Sequence, residues 1–269
     1  MAHQSTRDDL AADTNTFYRR TLHVLSDAQV PFLVGGSHAF LHYTGIERST
    51  KDFDLFLRRQ DRDRALEALD LAGYRTETTF PHWLAKAFQG HDHIDLVYAS
   101  GNGICTVDDA WFEHAVEAEV LGMPVKLQPL VEFLWQKAFV MERERFDGAD
   151  IMHALHAQAE HLDWPRLLER FEPHWQLLLS YMVLFCFVYP GDAHRLPQDV
   201  LRTLTQRLLE STDPSAPERD RVCQGTLISR QQYLLDVGRW GYHDARIVPR
   251  GKMTAEDTVY WTWAIEHVE

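Results

Sequence analysis

The sequence predicts an α/β protein, with a mixed-sheet domain over residues 1–128 and a mainly helical domain over residues 129–269. Two observations lead there. Before Pro129, short apolar runs of strand type alternate with glycine turns and brief helical patterns; after it, apolar residues recur at helical spacing almost to the end. A third observation agrees: 269 residues, 45% of them apolar, suffice for one large core or two modest ones.

Phe17, Leu22 and Leu25 lie at helical spacing and predict a helix near residues 16–28. Pro31-Phe32-Leu33-Val34 then reads as a buried strand ended by Gly35-Gly36. Ser37 can cap a short helix to about Tyr43, which Gly45 stops. Residues 52–57 open with the polar/apolar alternation of a half-buried strand. Residues 60–71 form an amphipathic helix closed by Gly73. Residues 74–79, 83–88 and 94–98 read as successive strands, and 116–121 with 124–127 as a hairpin turning at Gly122-Met123. Helical patterns follow from Leu130 and near 147–160, 164–171, 174–189, 197–211 and 229–240, where Ser229 and Gln232 make a capping box. Residues 211–220 form a polar loop.

Charge and composition exclude several classes. The formal net charge is −13, with 27 Lys plus Arg against 40 Asp plus Glu, which disfavours a broad nucleic-acid-binding face. Three separated cysteines form neither a disulfide framework nor a zinc knuckle. His91 and His93 form an H-x-H pair without the rest of a zinc ligand set. The opening residues have no apolar core of signal-peptide type, and the apolar stretch Trp175 to Tyr189 is short of the ~20 residues a membrane span needs. A cytoplasmic protein with no membrane partner is expected.

The chemistry concentrates in Val34-Gly35-Gly36-Ser37, then Asp52-Phe53-Asp54, then His93-Ile94-Asp95-Leu96. Side chains alternate along a strand, so Asp52 and Asp54 share a face, about 6–7 Å apart. If the strand holding Asp95 runs alongside, Asp95 joins them. Three packed carboxylates repel one another unless a cation sits between them. The arrangement therefore predicts a divalent-ion site, and oxygen-only donors suit Mg2+ or Mn2+. Gly35 and Gly36 let backbone approach a phosphate, and Ser37 adds a hydroxyl at a helix start.

Val34-Gly-Gly-Ser-His-Ala-Phe40 and Arg48-Ser-Thr-Lys-Asp-Phe-Asp54 resemble the nucleotidyltransferases of the DNA polymerase beta-like superfamily, and in wording the bacterial minimal nucleotidyltransferases of the AbiEii toxin type. The resemblance covers roughly residues 30–100, with a weaker helical continuation to about 155. It implies Asp52 and Asp54 as metal ligands, and Asp95 as the third carboxylate that activates an attacking hydroxyl. Gly35, Gly36, Ser37, Arg48 and Lys51 would contact nucleotide. Lys137 and Asp150 are similar to that group's downstream Lys and Asp, where the lysine approaches phosphates. The implied reaction is transfer of a nucleoside monophosphate from an NTP to a hydroxyl on RNA, such as a tRNA end, on a protein or on a small molecule, with two Mg2+ ions among Asp52, Asp54 and Asp95 stabilising the attacking and leaving oxygens. An antitoxin partner belongs to the same resemblance. A catalytically silent nucleotide-binding module is the alternative.

Overall fold

A computed structural model describes residues 2–48, 52–214 and 220–266. Its contacts divide the chain into two compact units: Met1–Leu41 with Glu47–Pro129, and His42–Ile46 with Leu130–Glu269.

The first unit holds helix α1 (Ala2–Asp27), strand β1 (Leu33–Val34), helix α2 (Gly36–Thr44, whose end belongs to the second unit), β2 (Asp54–Phe56), α3 (Arg62–Leu71), β3 (Arg75–Phe80), β4 (Leu84–Gln89), β5 (Asp92–Val97), α4 (Asp109–Glu113), β6 (Val116–Val120) and β7 (Met123–Leu127). The strands form one seven-stranded mixed sheet in the order β3-β4-β5-β2-β1-β7-β6. β2 runs parallel to β5 and antiparallel to β1, while β1 is parallel to β7. Parallel neighbours need long crossovers, and the helical segments between these strands supply them.

Alternation gives the sheet two different faces. On one, Phe53, Leu55, Leu57, Ala85, Ala87, Ile94 and Leu96 join Phe17, Tyr18, Leu22 and Leu25 of α1 and Ala65 and Leu69 of α3 in a continuous core. Tyr18 stacks on Phe53 with ring centroids 4.4 Å apart. On the other, Phe56 packs on the wholly buried Trp111 of α4. The residues next in register on that second face are the charged ones described below.

Several expected boundaries move. α1 starts far ahead of residue 16, and α4 carries no periodic signal because five residues are too few to show one. β2 is shorter than 52–57, although the ladder runs on through Asp95 N donating to Phe53 O and Leu57 N to Val97 O. The β6–β7 turn falls at Leu121-Gly122, with φ of +54° and +75°, the two left-handed residues that a tight hairpin of this hand requires.

The second unit contains α5 (Leu130–Ala138), α6 (Gly148–Gln158), α7 (Trp164–Phe171), α8 (Trp175–Val188), α9 (Gln198–Ser211), α10 (Leu234–Gly238) and α11 (Ala255–Glu266), with a small parallel pair β8 (Val222–Cys223) and β9 (His243–Asp244). Asp163 caps α7, accepting from Arg166 N at 3.1 Å. A 3-10 turn joins α7 to α8, so the helical run Trp164–Val188 reaches 25 residues. By length and composition it is long enough to cross a membrane, contrary to the estimate made from its apolar core alone; Leu167, Phe171, Leu178, Met182 and Phe185 within it are buried in this unit. Ser229 does accept from Gln232 N at 3.3 Å, but residues 230–233 form turns and the helix is only Leu234–Gly238. There Ser229 Oγ donates to Glu142 at 2.7 Å, a tertiary bond that competes with a helix start. The three cysteines are all free.

Glu132 of α5 has no exposed side-chain surface and is held by Arg166 and Arg170 of α7, the latter at 2.9 Å. Removing one partner of such a pair strands a buried charge. Glu132→Ala is therefore expected to lower the unfolding free energy by about 3–5 kcal/mol, against less than about 0.5 kcal/mol for the exposed Glu169→Ala. Urea denaturation followed by far-ultraviolet circular dichroism reads both, and equal losses would contradict this role.

Candidate active site

The glycine turn is built around a carboxylate. Gly35 N donates to Asp54 O at 3.0 Å, tying the end of β1 to β2. Gly36 follows with φ of +55°, and a Cβ there would fall 2.0 Å from Asp54 Oδ2. A Cβ on Gly35 would meet the Phe56 ring at 2.1 Å. Both positions thus exclude larger residues, but the neighbour requiring the space is protein: the room expected for a phosphate is bordered by the Asp54 carboxylate. Ser37 lies half-buried in the first turn of α2.

The carboxylates meet through strand register. The parallel β2–β5 pairing sets Asp54 directly beside Asp95, and alternation places Asp52 on the same face. The antiparallel β4–β5 pairing sets Lys86 on the far side of Asp95. One row across three strands therefore reads Lys86, Asp95, Asp54. Lys86 Nζ lies 2.8 Å from Asp95 Oδ1, an oxygen shielded from water that receives no aligned hydrogen bond. His93 shares the face two residues earlier, with Nε2 3.2 Å from Asp52 Oδ1 and 3.7 Å from Asp95 Oδ1. Asp52 is the open end, its side chain 55% exposed against 16% for Asp95.

Below this face stands Tyr18. Burial, and then the charges of Asp92, Asp52, Asp54 and Asp95, push its phenol up to about 12. Asp92 opens β5 and accepts from Thr14 Oγ1 at 2.9 Å. His38 packs edge-on against Phe53 at 5.0 Å, and burial lowers its pKa, as for a core histidine.

Among the described residues, no group of three or more His, Cys, Asp or Glu side chains has a geometry that could hold a metal ion. The premise that only divalent ions could make three carboxylates tolerable is therefore corrected at Asp95, where the neighbouring cation is a lysine. Asp52 and Asp54 remain an all-oxygen pair suited to a hard cation.

The other expected nucleotide contacts are distributed. The Arg48 guanidinium lies over the Phe40 ring, 4.3 Å from its centroid. Lys51 lies outside the described residues. Lys137 and Asp150 belong to the second unit, where Lys137 Nζ sits 2.8 Å from both Asp147 and Asp150 and joins α5 to α6. Burial pushes the Asp147 carboxyl up, but the Arg145 guanidinium and Lys137 ammonium outweigh it and hold the group below the usual carboxylate range.

Lys86 and His93 were missed as site residues, though each left a mark. Lys86 interrupts the apolar run Leu84-Ala-Lys86-Ala-Phe88, and His93 stands one alternation from Asp95.

No family model matches the sequence, and no curated protein does. Solved structures do resemble it. The antibiotic-resistance factor ANT(2'')-Ia is 16% identical over 74% of this chain and 93% of its own, with a TM-score of 0.38. The lincosamide antibiotic adenylyltransferase LnuA, lincomycin-bound, is 14% identical over 54% of this chain and 96% of its own, with a TM-score of 0.39. An antigenic nucleotidyltransferase-like protein from Paracoccidioides brasiliensis is 14% identical over 72% and 97%, with a TM-score of 0.45. With these scores below 0.5, function rests on the chain's own residues.

Gly36→Ala is expected to destabilise the protein by about 3 kcal/mol or more, since backbone strain adds to the collision with Asp54. Gly45 has φ of +70° but open space around it, so Gly45→Ala incurs strain alone, about 1–2 kcal/mol. Denaturant midpoints of the two variants check this, and a Gly36→Ala loss no larger than that of Gly45→Ala would contradict the close approach.

Proposed function

We propose that this chain is a nucleotidyltransferase that moves a nucleoside monophosphate from an NTP to a hydroxyl acceptor, releasing pyrophosphate. The observation that carries the reading is the register of β2 against β5, which lines Asp54 up with Asp95 beside the Gly35-Gly36-Ser37 turn while Asp52 shares their face.

In this reading Asp52 and Asp54 hold Mg2+ or Mn2+. When bound, such an ion neutralises the triphosphate and polarises the phosphorus under attack. Asp95 accepts the proton of the acceptor hydroxyl as its oxygen bonds to the α-phosphorus and the bond to pyrophosphate breaks. Ser37 and the backbone of the glycine turn orient the triphosphate, and Arg48 and Lys51 supply positive charge to it. Tyr18 and Phe53 form an apolar floor that fixes the carboxylate-bearing strands from below. The acidic balance of the chain favours an acceptor held by a local patch over one needing an extended phosphate footprint.

A second reading, a silent nucleotide-binding module, draws support from one observation: the Lys86 ammonium beside Asp95 already offsets part of the acidic charge without chemistry.

Incubating the full chain with each α-32P-labelled NTP plus cell RNA, protein extract or an aminoglycoside panel separates the two. Transfer of label in one arm is expected, with the labelled class identifying the acceptor; the toxin-type resemblance favours the RNA arm and tRNA ends within it. Label in none of the arms, with NTP binding intact, establishes the silent module instead.

Asp95→Asn is expected to slow transfer by about 10²–10⁴-fold, the usual contribution of a positioned general base. Asp52→Asn with Asp54→Asn abolishes it. Chelation with EDTA stops the reaction and added Mg2+ or Mn2+ restores it. Activity that survives chelation would overturn the assignment of Asp52 and Asp54.

A further inference from the structure

Of the groups on the carboxylate face, the proposed reaction leaves Lys86 and His93 without a task, and Lys86 is the one paired with Asp95 across the strands. Its position is set twice: the β4–β5 register makes it the cross-strand partner of Asp95, and its stem leaves only 22% of the side chain exposed. Its ammonium therefore stands where it meets Asp95 Oδ1 at 2.8 Å. His93 adds to this on the same face, its Nε2 between Asp52 and Asp95 at 3.2 and 3.7 Å.

A two-ion centre needs the opposite arrangement. Its ions lie about 3.5–4 Å apart and share carboxylates, so the third carboxylate must be open to a cation. Here that carboxylate faces an ammonium, and a divalent ion bound to it would also have to bear the nearby like charge of Lys86. The charge count agrees. Counting Asp52, Asp54 and Asp95 against the Lys86 ammonium alone, two negative charges are left, which a single divalent ion neutralises.

We infer that the Lys86 ammonium takes, at Asp95, the place of a second divalent ion, so that the chain binds one such ion, on Asp52 and Asp54, and not two. This rests on the nucleotidyltransferase reading of the site. Lys86 acts through Asp95 and is a positioning residue: it holds the carboxylate in its row beside Asp54 and supplies positive charge there without a metal.

The test counts ions, with no turnover. The full chain is titrated with Mn2+, with and without an α,β-methylene NTP analogue, and free Mn2+ is read by electron paramagnetic resonance. Binding retained by the Asp52→Asn/Asp54→Asn double variant is subtracted as surface binding. Wild type is expected to bind one Mn2+ above that baseline and Lys86→Met two, the second lost again on adding Asp95→Asn. Lys86→Arg, which keeps the cation, is expected to stay at one.

Two Mn2+ on wild type above that baseline overturn the inference outright, whether or not the Lys86 variants fold. So does a single Mn2+ on a Lys86→Met chain whose circular dichroism matches wild type; Lys86→Gln serves if the Met variant does not fold. A wild-type count no higher than that of the double variant overturns the reading beneath it, because Asp52 and Asp54 would then hold no ion at all.

Discussion

The pairing of β2 with β5 is the constraint on which the site depends. Side chains alternate with a period of two, so a one-residue slip would turn Asp95 into the core and bring Ile94 or Leu96 out to face Asp54. The slip is opposed from the other face, where Leu55, Ile94 and Leu96 are fully buried against α1 and α3. The apolar core thus specifies the polar site by exclusion: each residue buried below decides which residue stands above. Asp95 N donating to Phe53 O extends the same ladder one step towards Asp52, beyond the three residues of β2.

Electrostatics explain why such a row can fold. Three carboxylates on one face would destabilise it, but the Lys86 ammonium comes from the same sheet and arrives by the same alternation. The effect of the cluster is still felt at Tyr18, whose raised pKa reflects burial first and four carboxylates after it. The glycine turn adds a steric condition. Asp54 can sit at the end of β1 only because Gly36 has no Cβ and adopts a left-handed backbone. Register, charge and shape therefore converge on one residue, Asp54.

The helical unit uses ion pairs differently. Glu132 with Arg166 and Arg170 joins α5 to α7, and Lys137 with Asp147 and Asp150 joins α5 to α6. These pairs are largely withdrawn from solvent and each ties two helices at a defined place, a polar register for an otherwise apolar interior. Lys137 as the structure describes it is an interhelical tie. The nucleotide contact that its sequence resemblance implies would require it to serve both carboxylates and a phosphate.

The sequence by itself determined the fold class, most helices and strands in outline though not α4, α11, β8 or β9, and the residue types at the site, because periodicity and glycine position are local properties. From alternation alone it followed that Asp52 and Asp54 share a face. What only the tertiary structure decided is who stands beside whom: that Asp95 pairs with Asp54, that Lys86 pairs with Asp95, and that Asp92 bonds to Thr14 of α1. It also showed the Ser229–Gln232 contact to be a turn held by Glu142, 87 residues away in the chain. Partners so distant meet through strand order and register, which the whole core sets at once, and no local pattern in the chain records that pairing.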